Sequence, residues 1–94
     1  MSYIFQKITI EKLIWDEWNI THISRHQIKY HEVEQACYHY LKALKTYNNR
    51  IMILGQSNNG KLITVILAKQ IKNNYYVVTA RNMSKEERKF ISND

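Results

Sequence analysis

The sequence predicts an α+β domain: an antiparallel β-meander of three or four strands, with two helices before it and one after it. Apolar residues recur at helical spacing up to Arg50 and then change to the two-residue spacing of strands. Two turn-forming stretches separate the strand-like runs of the second half. With 94 residues, the chain can bury one modest core and is too short for two. We therefore expect residues 1–94 to form a single domain in the order β-α-α-β-β-β-α.

The first strand and the first helix are predicted close to the N-terminus. The strand is indicated by four apolar residues, Ile8, Ile10, Leu13 and Ile14. Asn19 is a residue that favours helix N-caps, so it is predicted to begin a helix over residues 20–26. Ile20 and Ile23 would share the buried face of that helix.

A second helix is predicted from Tyr30 to about Leu41. Five residues at helical spacing form its buried stripe: Val33, Ala36, Cys37, Tyr40 and Leu41. Its other side carries Glu32, Gln35 and His39. The polar run over residues 42–49 is predicted to be a connection between this helix and the meander.

The meander and the last helix follow. Three β-compatible runs, Ile51–Leu54, Leu62–Ala68 and Tyr75–Thr79, alternate with turns at Gly55–Gly60 and Asn73–Asn74. Ser84 and Glu87 stand three residues apart, which is the spacing of a capping box at a helix N-terminus. Phe90 and Ile91 are expected to anchor that helix to the core.

Composition limits the possible functions. The hydrophobic fraction of 45% excludes a disordered tail, and the net charge of +6 favours an anionic partner. One cysteine, Cys37, excludes an internal disulfide and a cysteine-rich metal site, and the two glycines exclude the known phosphate-binding glycine loops. No segment has the length and hydropathy of a membrane span or a signal peptide, so a cytoplasmic location is expected.

Six short motifs follow one another along the chain. The motifs are Trp15-Asp16, the stretch Ile23–Ile28, the strand Arg50–Gly55, Gly60-Lys61-Leu62, Val77–Arg81 and Lys85–Arg88. Together they resemble the BrnT-type ribonuclease toxins, and the resemblance runs from about Leu13 to Phe90. The sequence departs from the family pattern at Gln27, where the family usually has glycine, and at His22, where asparagine is common.

The resemblance implies a fold similar to RelE and a function in a type II toxin–antitoxin pair. Such a toxin is an endoribonuclease that needs no cofactor and blocks translation. It is silenced in a hetero-oligomer with an antitoxin of the ribbon-helix-helix class.

Metal-free RNA cleavage needs a base for the 2′-hydroxyl proton, an acid for the leaving 5′-oxygen and cations for the phosphate. His26 is the candidate for proton transfer, and the alternative is a histidine that caps the helix. Arg50 and Arg81 start and end predicted strands, so they are candidates for the phosphate at a shared mouth of the sheet. The alternative is that they are ordinary arginines at the rim.

Further RNA contacts are predicted at Arg25, beside the candidate histidine, and at Lys61 and Arg88. A solvated strand end explains Lys61 equally well, and Arg88 fits a charged helix face. Trp18 is a candidate for stacking on a base.

A metal site is not expected. His22 and His26 stand four residues apart, as zinc ligands often do, but the sequence has no HExxH motif around them. A metal-dependent hydrolase is therefore the weakest hypothesis. The main alternative to a ribonuclease is a basic module that binds RNA, DNA or a protein partner without cleaving anything.

Overall fold

The computed structural model describes residues 4–92, so the ends of the predicted domain, 1 and 94, lie outside the described part. Its elements are β1 (Lys12–Ile14), α1 (Glu17–Ser24), α2 (Tyr30–Tyr38), β2 (Lys42–Lys45), a 3-10 turn (Tyr47–Asn49), β3 (Arg50–Gln56), β4 (Leu62–Lys69), β5 (Asn74–Asn82) and α3 (Lys85–Arg88). The predicted α+β class is confirmed. No helix within residues 4–92 combines the length and the apolar character that crossing a bilayer requires.

The strands form one five-stranded sheet in the order β1-β5-β4-β3-β2. Strands β2 to β5 are antiparallel neighbours, so the predicted meander is confirmed. Strand β1 pairs with β5 in parallel, from Lys12 opposite Asn74 to Ile14 opposite Tyr76. The expectation of an entirely antiparallel sheet of three or four strands is therefore wrong. A three-residue strand has too few residues to specify its partner, and this partner lies some sixty residues away.

The fifth strand comes from the polar run over residues 42–49, which was expected to be a connection. Lys42–Lys45 forms the edge strand β2 and pairs with β3. Ala43 and Leu44 are both buried because the sheet is covered on both faces at this point, whereas the lysines at the two ends are exposed. Lysine is common on edge strands. Here the two lysines made the segment read as a polar connection, so the strand was not predicted.

Helix α1 begins earlier than predicted. Asp16, not Asn19, is its N-cap, and Asn19 occupies the third helical position of a capping box. The Asp16 carboxylate accepts from the Asn19 backbone N–H at 2.9 Å, and the Asn19 side chain accepts from the Asp16 backbone N–H at 2.8 Å. Of the two predicted core residues, Ile23 is buried and Ile20 is exposed.

Helix α1 ends in a Schellman motif. The backbone N–H of Gln27 donates to the carbonyl of Ser24, and that of Ile28 donates to the carbonyl of Ile23. Gln27 has a φ of 60°, the left-handed conformation that favours glycine. Ile23 and Ile28 are both buried in the same core cluster, which is the apolar contact typical of this motif.

Helix α2 ends at Tyr38, three residues before the predicted end, and Leu41 is exposed. The predicted core positions Val33, Ala36 and Cys37 are confirmed as buried. The predicted polar side is wrong at one position, since Glu32 is buried and hydrogen-bonded.

The two faces of the sheet carry separate apolar clusters. On the helix face, α1 and α2 pack over residues such as Ile53, Val65 and Ala80. On the opposite face, here called the α3 face, Leu44 and Leu54 pack with residues that follow β5: Met83, Phe90 and Ile91. The predicted capping box of Ser84 and Glu87 is present at the start of α3.

Candidate nucleic-acid interface

A ladder of three rings runs along the outward side of α1 and into the turn after it. The rings are those of Trp18, His22 and His26. The Trp18 and His22 rings are stacked, with centroids 4.7 Å apart and planes inclined by 8°. The His26 ring follows at 6.0 Å from His22, edge to face at 71°. Trp18 is 58% exposed although it is the largest apolar side chain of the helix. The ladder therefore offers an exposed aromatic surface.

The orientation of the ladder is set by the buried side of α1. The Asn19 side chain is fully buried and donates to two carbonyls, those of Ile14 and Val77, each at 3.0 Å. Ile23, one turn further on, is also fully buried. Because these two residues fix the rotation of the helix, Trp18 faces the solvent and His22 is half-buried against it.

A shallow open cavity of about 510 Å³ lies beside the ladder. It is lined by Glu17, Trp18, Thr21, His22 and Arg25. Arg25 is exposed, and its guanidinium makes no hydrogen bond or ion pair with any residue between 4 and 92. Its guanidinium is therefore available to an external anion next to the His22 imidazole and the Trp18 indole.

His26 lies in the turn after α1 and is exposed. Its backbone N–H donates to the carbonyl of Ile23, but its ring makes no hydrogen bond to a helix carbonyl in the described part of the chain. The His26 ring contacts the ring of His22. Backbone N–H groups thus bind the carbonyls at this end of the helix, and the His26 side chain lies exposed beside them.

Arg81 is bound to a carboxylate of its own chain. Its two terminal nitrogens donate to the two Glu87 oxygens at 2.7 and 2.5 Å. Burial by itself raises the pKa of Glu87, but hydrogen bonds from Arg81, Ser84 and Thr64 outweigh it and bring the pKa down to about 2. In this conformation, Arg81 holds α3 against the sheet.

Arg50 and Arg81 are on the α3 face but at different ends of it. Arg50 is level with Ala68 on β4, and Arg81 is level with Thr64. Their Cα atoms are about 16 Å apart, from four residues of rise along β4 and two inter-strand spacings. The predicted shared mouth is therefore not formed by these two arginines. His26 follows a helix on the opposite face, so it joins neither.

Lys61 is also paired within the chain. Its ammonium group donates to the Glu32 carboxylate at 3.1 Å and to the Gln27 carbonyl at 3.0 Å. Backbone hydrogen bonding at Lys29 is the largest effect on Glu32, and together with Lys61 and Asn59 it lowers the pKa of this carboxyl despite burial. Lys61 thereby ties the β3–β4 hairpin to the turn between the helices. Arg88, the remaining candidate, is exposed on α3.

Two residues of interest were not assigned a site role from the sequence. His22 completes the ladder, and the spacing 18-22-26 was the signal that could have found it. Thr64 donates to Glu87 at 2.8 Å from a fully buried position, and a lone threonine inside an apolar β run was its signal.

Cys37 is buried, and burial raises the pKa of its thiol, which agrees with the predicted core role. No group of three or more metal-ligating side chains occurs among residues 4–92.

No protein-family model matches this chain, and comparisons with curated proteins and with solved structures also gave no match. The resemblance to BrnT toxins therefore depends on the order and spacing of the sequence motifs.

Proposed function

We propose that this chain is a metal-independent endoribonuclease that binds single-stranded RNA on the outward side of α1. The observation that carries the proposal is the exposed ladder of Trp18, His22 and His26, with the unpaired Arg25 beside it. An exposed indole stacks on any base, and a guanidinium binds a phosphate oxygen pair. The net charge of +6 supports an anionic ligand.

The two imidazoles supply the acid and the base that the reaction needs. One takes the proton of the 2′-hydroxyl as O2′ attacks the adjacent phosphorus, and the other protonates the 5′-oxygen as the P–O5′ bond breaks. The products are a 2′,3′-cyclic phosphate and a free 5′-hydroxyl. Histidine suits both roles because its ordinary pKa is about 6.5. Arg25 would hold the phosphate as negative charge develops.

The resemblance to BrnT toxins adds a partner to the proposal. An antitoxin of the ribbon-helix-helix class would silence the protein in a hetero-oligomer. Induced expression should then arrest growth, a His26→Ala variant should relieve the arrest, and co-expression of the antitoxin from the neighbouring gene should also relieve it. Growth arrest that is unchanged in the His26→Ala variant would contradict a catalytic role for this residue.

The decisive experiment incubates the purified chain with single-stranded RNA in the presence of EDTA. We expect cleavage to continue, and to stop on a substrate with a 2′-O-methyl group at the cut site. Substitution His22→Ala or His26→Ala should lower the rate by about 10²–10⁴-fold. His39→Ala is the matched control, since His39 is an exposed histidine that follows α2. Cleavage that EDTA abolishes, or that proceeds past the 2′-O-methyl group, would contradict the mechanism.

A non-catalytic RNA-binding module is the second candidate. It is favoured by the separation of the predicted catalytic residues, because Arg50, Arg81 and His26 do not converge on one point. The same experiment separates the two functions. Binding that Trp18→Ala weakens, with no cleavage by the unmodified chain, would identify the module.

A further inference from the structure

The Glu87 carboxylate accepts four hydrogen bonds. Two come from Arg81, one comes from the Thr64 hydroxyl at 2.8 Å, and one comes from the Ser84 backbone N–H at 2.9 Å. The carboxylate belongs to α3, which has only four residues. A set of donors around an oxyanion is the arrangement by which proteins bind carboxylates and phosphates alike.

The two side-chain donors belong to the sheet and do not depend on α3. Arg81 on β5 and Thr64 on β4 are directly paired in the register. Both side chains meet Glu87, so they point to the same face. Regular strands fix their positions, and α3 contributes the anion.

The site is also open at its side. The Arg81 side chain is 40% exposed, whereas that of Glu87 is 11% exposed. The next row of the sheet, Thr79 opposite Ile66, is half-buried and not fully covered by α3. A ligand lying on the uncovered part of the sheet would therefore reach the guanidinium from the side.

We propose that Arg81 and Thr64 form a second anion site, that the Glu87 carboxylate occupies it in this structure, and that a phosphate group of RNA competes with Glu87 for these two donors. The planar fork of arginine binds a phosphate by the same two parallel hydrogen bonds that it makes here to the carboxylate. The choice of RNA as the source of the phosphate rests on the proposed function. The existence of the site does not.

Competition within the chain explains why such a site would be hidden in the free protein. Glu87 is tethered close to Arg81, so a dissolved phosphate must displace a ligand of high effective concentration. Removing the negative charge at position 87 should expose the donors without altering the sheet.

The test compares Glu87→Gln with Glu86→Gln in the full chain. Both variants lose one negative charge from α3, but Glu86 is exposed and does not touch Arg81. Inorganic phosphate is titrated first, and a 2′-O-methyl RNA hexamer, which resists cleavage, is titrated second. We expect Glu87→Gln to bind both probes about tenfold more tightly than the unmodified chain, the effect of losing a competing ion pair. Glu86→Gln should bind both as the unmodified chain does.

Two further measurements keep the result unambiguous. Adding Thr64→Val to Glu87→Gln should remove most of the gain, since it deletes one sheet donor. In the unmodified chain, high phosphate should shift the NMR signal of the Arg81 Nε–H group, which requires no variant to fold. Equal binding by Glu87→Gln and Glu86→Gln, or an Arg81 signal that phosphate leaves unchanged, would overturn the proposal. A gain for phosphate without a gain for the hexamer would overturn RNA as the ligand.

The proposal of a second site and the proposed RNA-binding surface on α1 can be tested independently. Trp18→Ala should weaken hexamer binding to the unmodified chain but leave the phosphate gain of Glu87→Gln intact. If the gain disappears with Trp18→Ala, the Arg81 site is not a separate site.

Discussion

Gln27 is the residue at which local sequence and backbone conformation disagree most clearly. Its φ of 60° closes the turn after α1, and its carbonyl accepts from Lys61. A residue with a Cβ costs about 1 kcal/mol in this conformation relative to glycine. Glycine, the residue that the resemblance to BrnT-type toxins leads us to expect at this position, is thus the one that this backbone favours.

We therefore expect Gln27→Gly to raise the free energy of unfolding by about 1 kcal/mol, measured by urea denaturation. Lys72, with a φ of 56°, should respond in the same direction when it is changed to glycine. Gln70→Gly is the control, because Gln70 is exposed and is not among the residues with positive φ. A Gln27→Gly variant that is less stable than the unmodified chain would contradict the claim that the backbone is strained at Gln27.

At the scale of elements, the contact between α2 and β3 depends on Gly55. A Cβ at this position would overlap the carbonyl oxygen of Ala36, a backbone atom that cannot rotate away. Gly55→Ala should therefore lower the free energy of unfolding by about 2–3 kcal/mol, as overpacking does. Gly60→Ala should cost less, because Gly60 has open space around it and only its φ of 90° opposes a side chain. Denaturation of the two variants side by side checks the order.

The attachment of α3 to the sheet should depend on pH. The pKa of Glu87 is about 2 in the folded chain and about 4.3 in an unfolded one. A lowered pKa contributes stability that is complete above the unfolded value and is lost as pH falls through the folded one. Between about pH 5 and pH 2 the chain should lose roughly 1–2 kcal/mol through this group, given the solvent exposure of Arg81. Urea unfolding of Glu87→Gln should lack this part of the pH dependence.

Elements differ in how far the sequence predicted them. The capping box of Ser84 and Glu87 and the antiparallel meander were predicted, because each depends on residues close together in the chain. Strand β2 was missed because it is short, lies at an edge and begins and ends with lysine. The parallel pairing of β1 was missed because its partner β5 begins sixty-two residues after it.

At the scale of the whole molecule, the net charge of +6 should make the affinity for RNA depend on salt concentration. The logarithm of the binding constant for single strands should fall with the logarithm of salt concentration by about 0.7 for each phosphate contacted. Arg25→Ala should reduce this slope by about 0.7, because Arg25 contacts a phosphate in the proposed complex. Trp18→Ala should weaken the binding free energy by about 1–3 kcal/mol without changing the slope, since stacking releases no counterions. Fluorescence titrations at several salt concentrations distinguish the two outcomes.

The sequence by itself determined the features that depend on neighbours along the chain: the α+β class, the turns of the meander, the α3 cap and the four-residue spacing of Trp18, His22 and His26. Only the tertiary structure decided which cations are available. Arg25 is unpaired within residues 4–92, whereas Lys61 is bound to Glu32, twenty-nine residues away. A sequence does not show whether a given arginine or lysine is ion-paired in the folded chain. Their availability depends on where the fold places a carboxylate, and folding brings those partners together from distant parts of the chain.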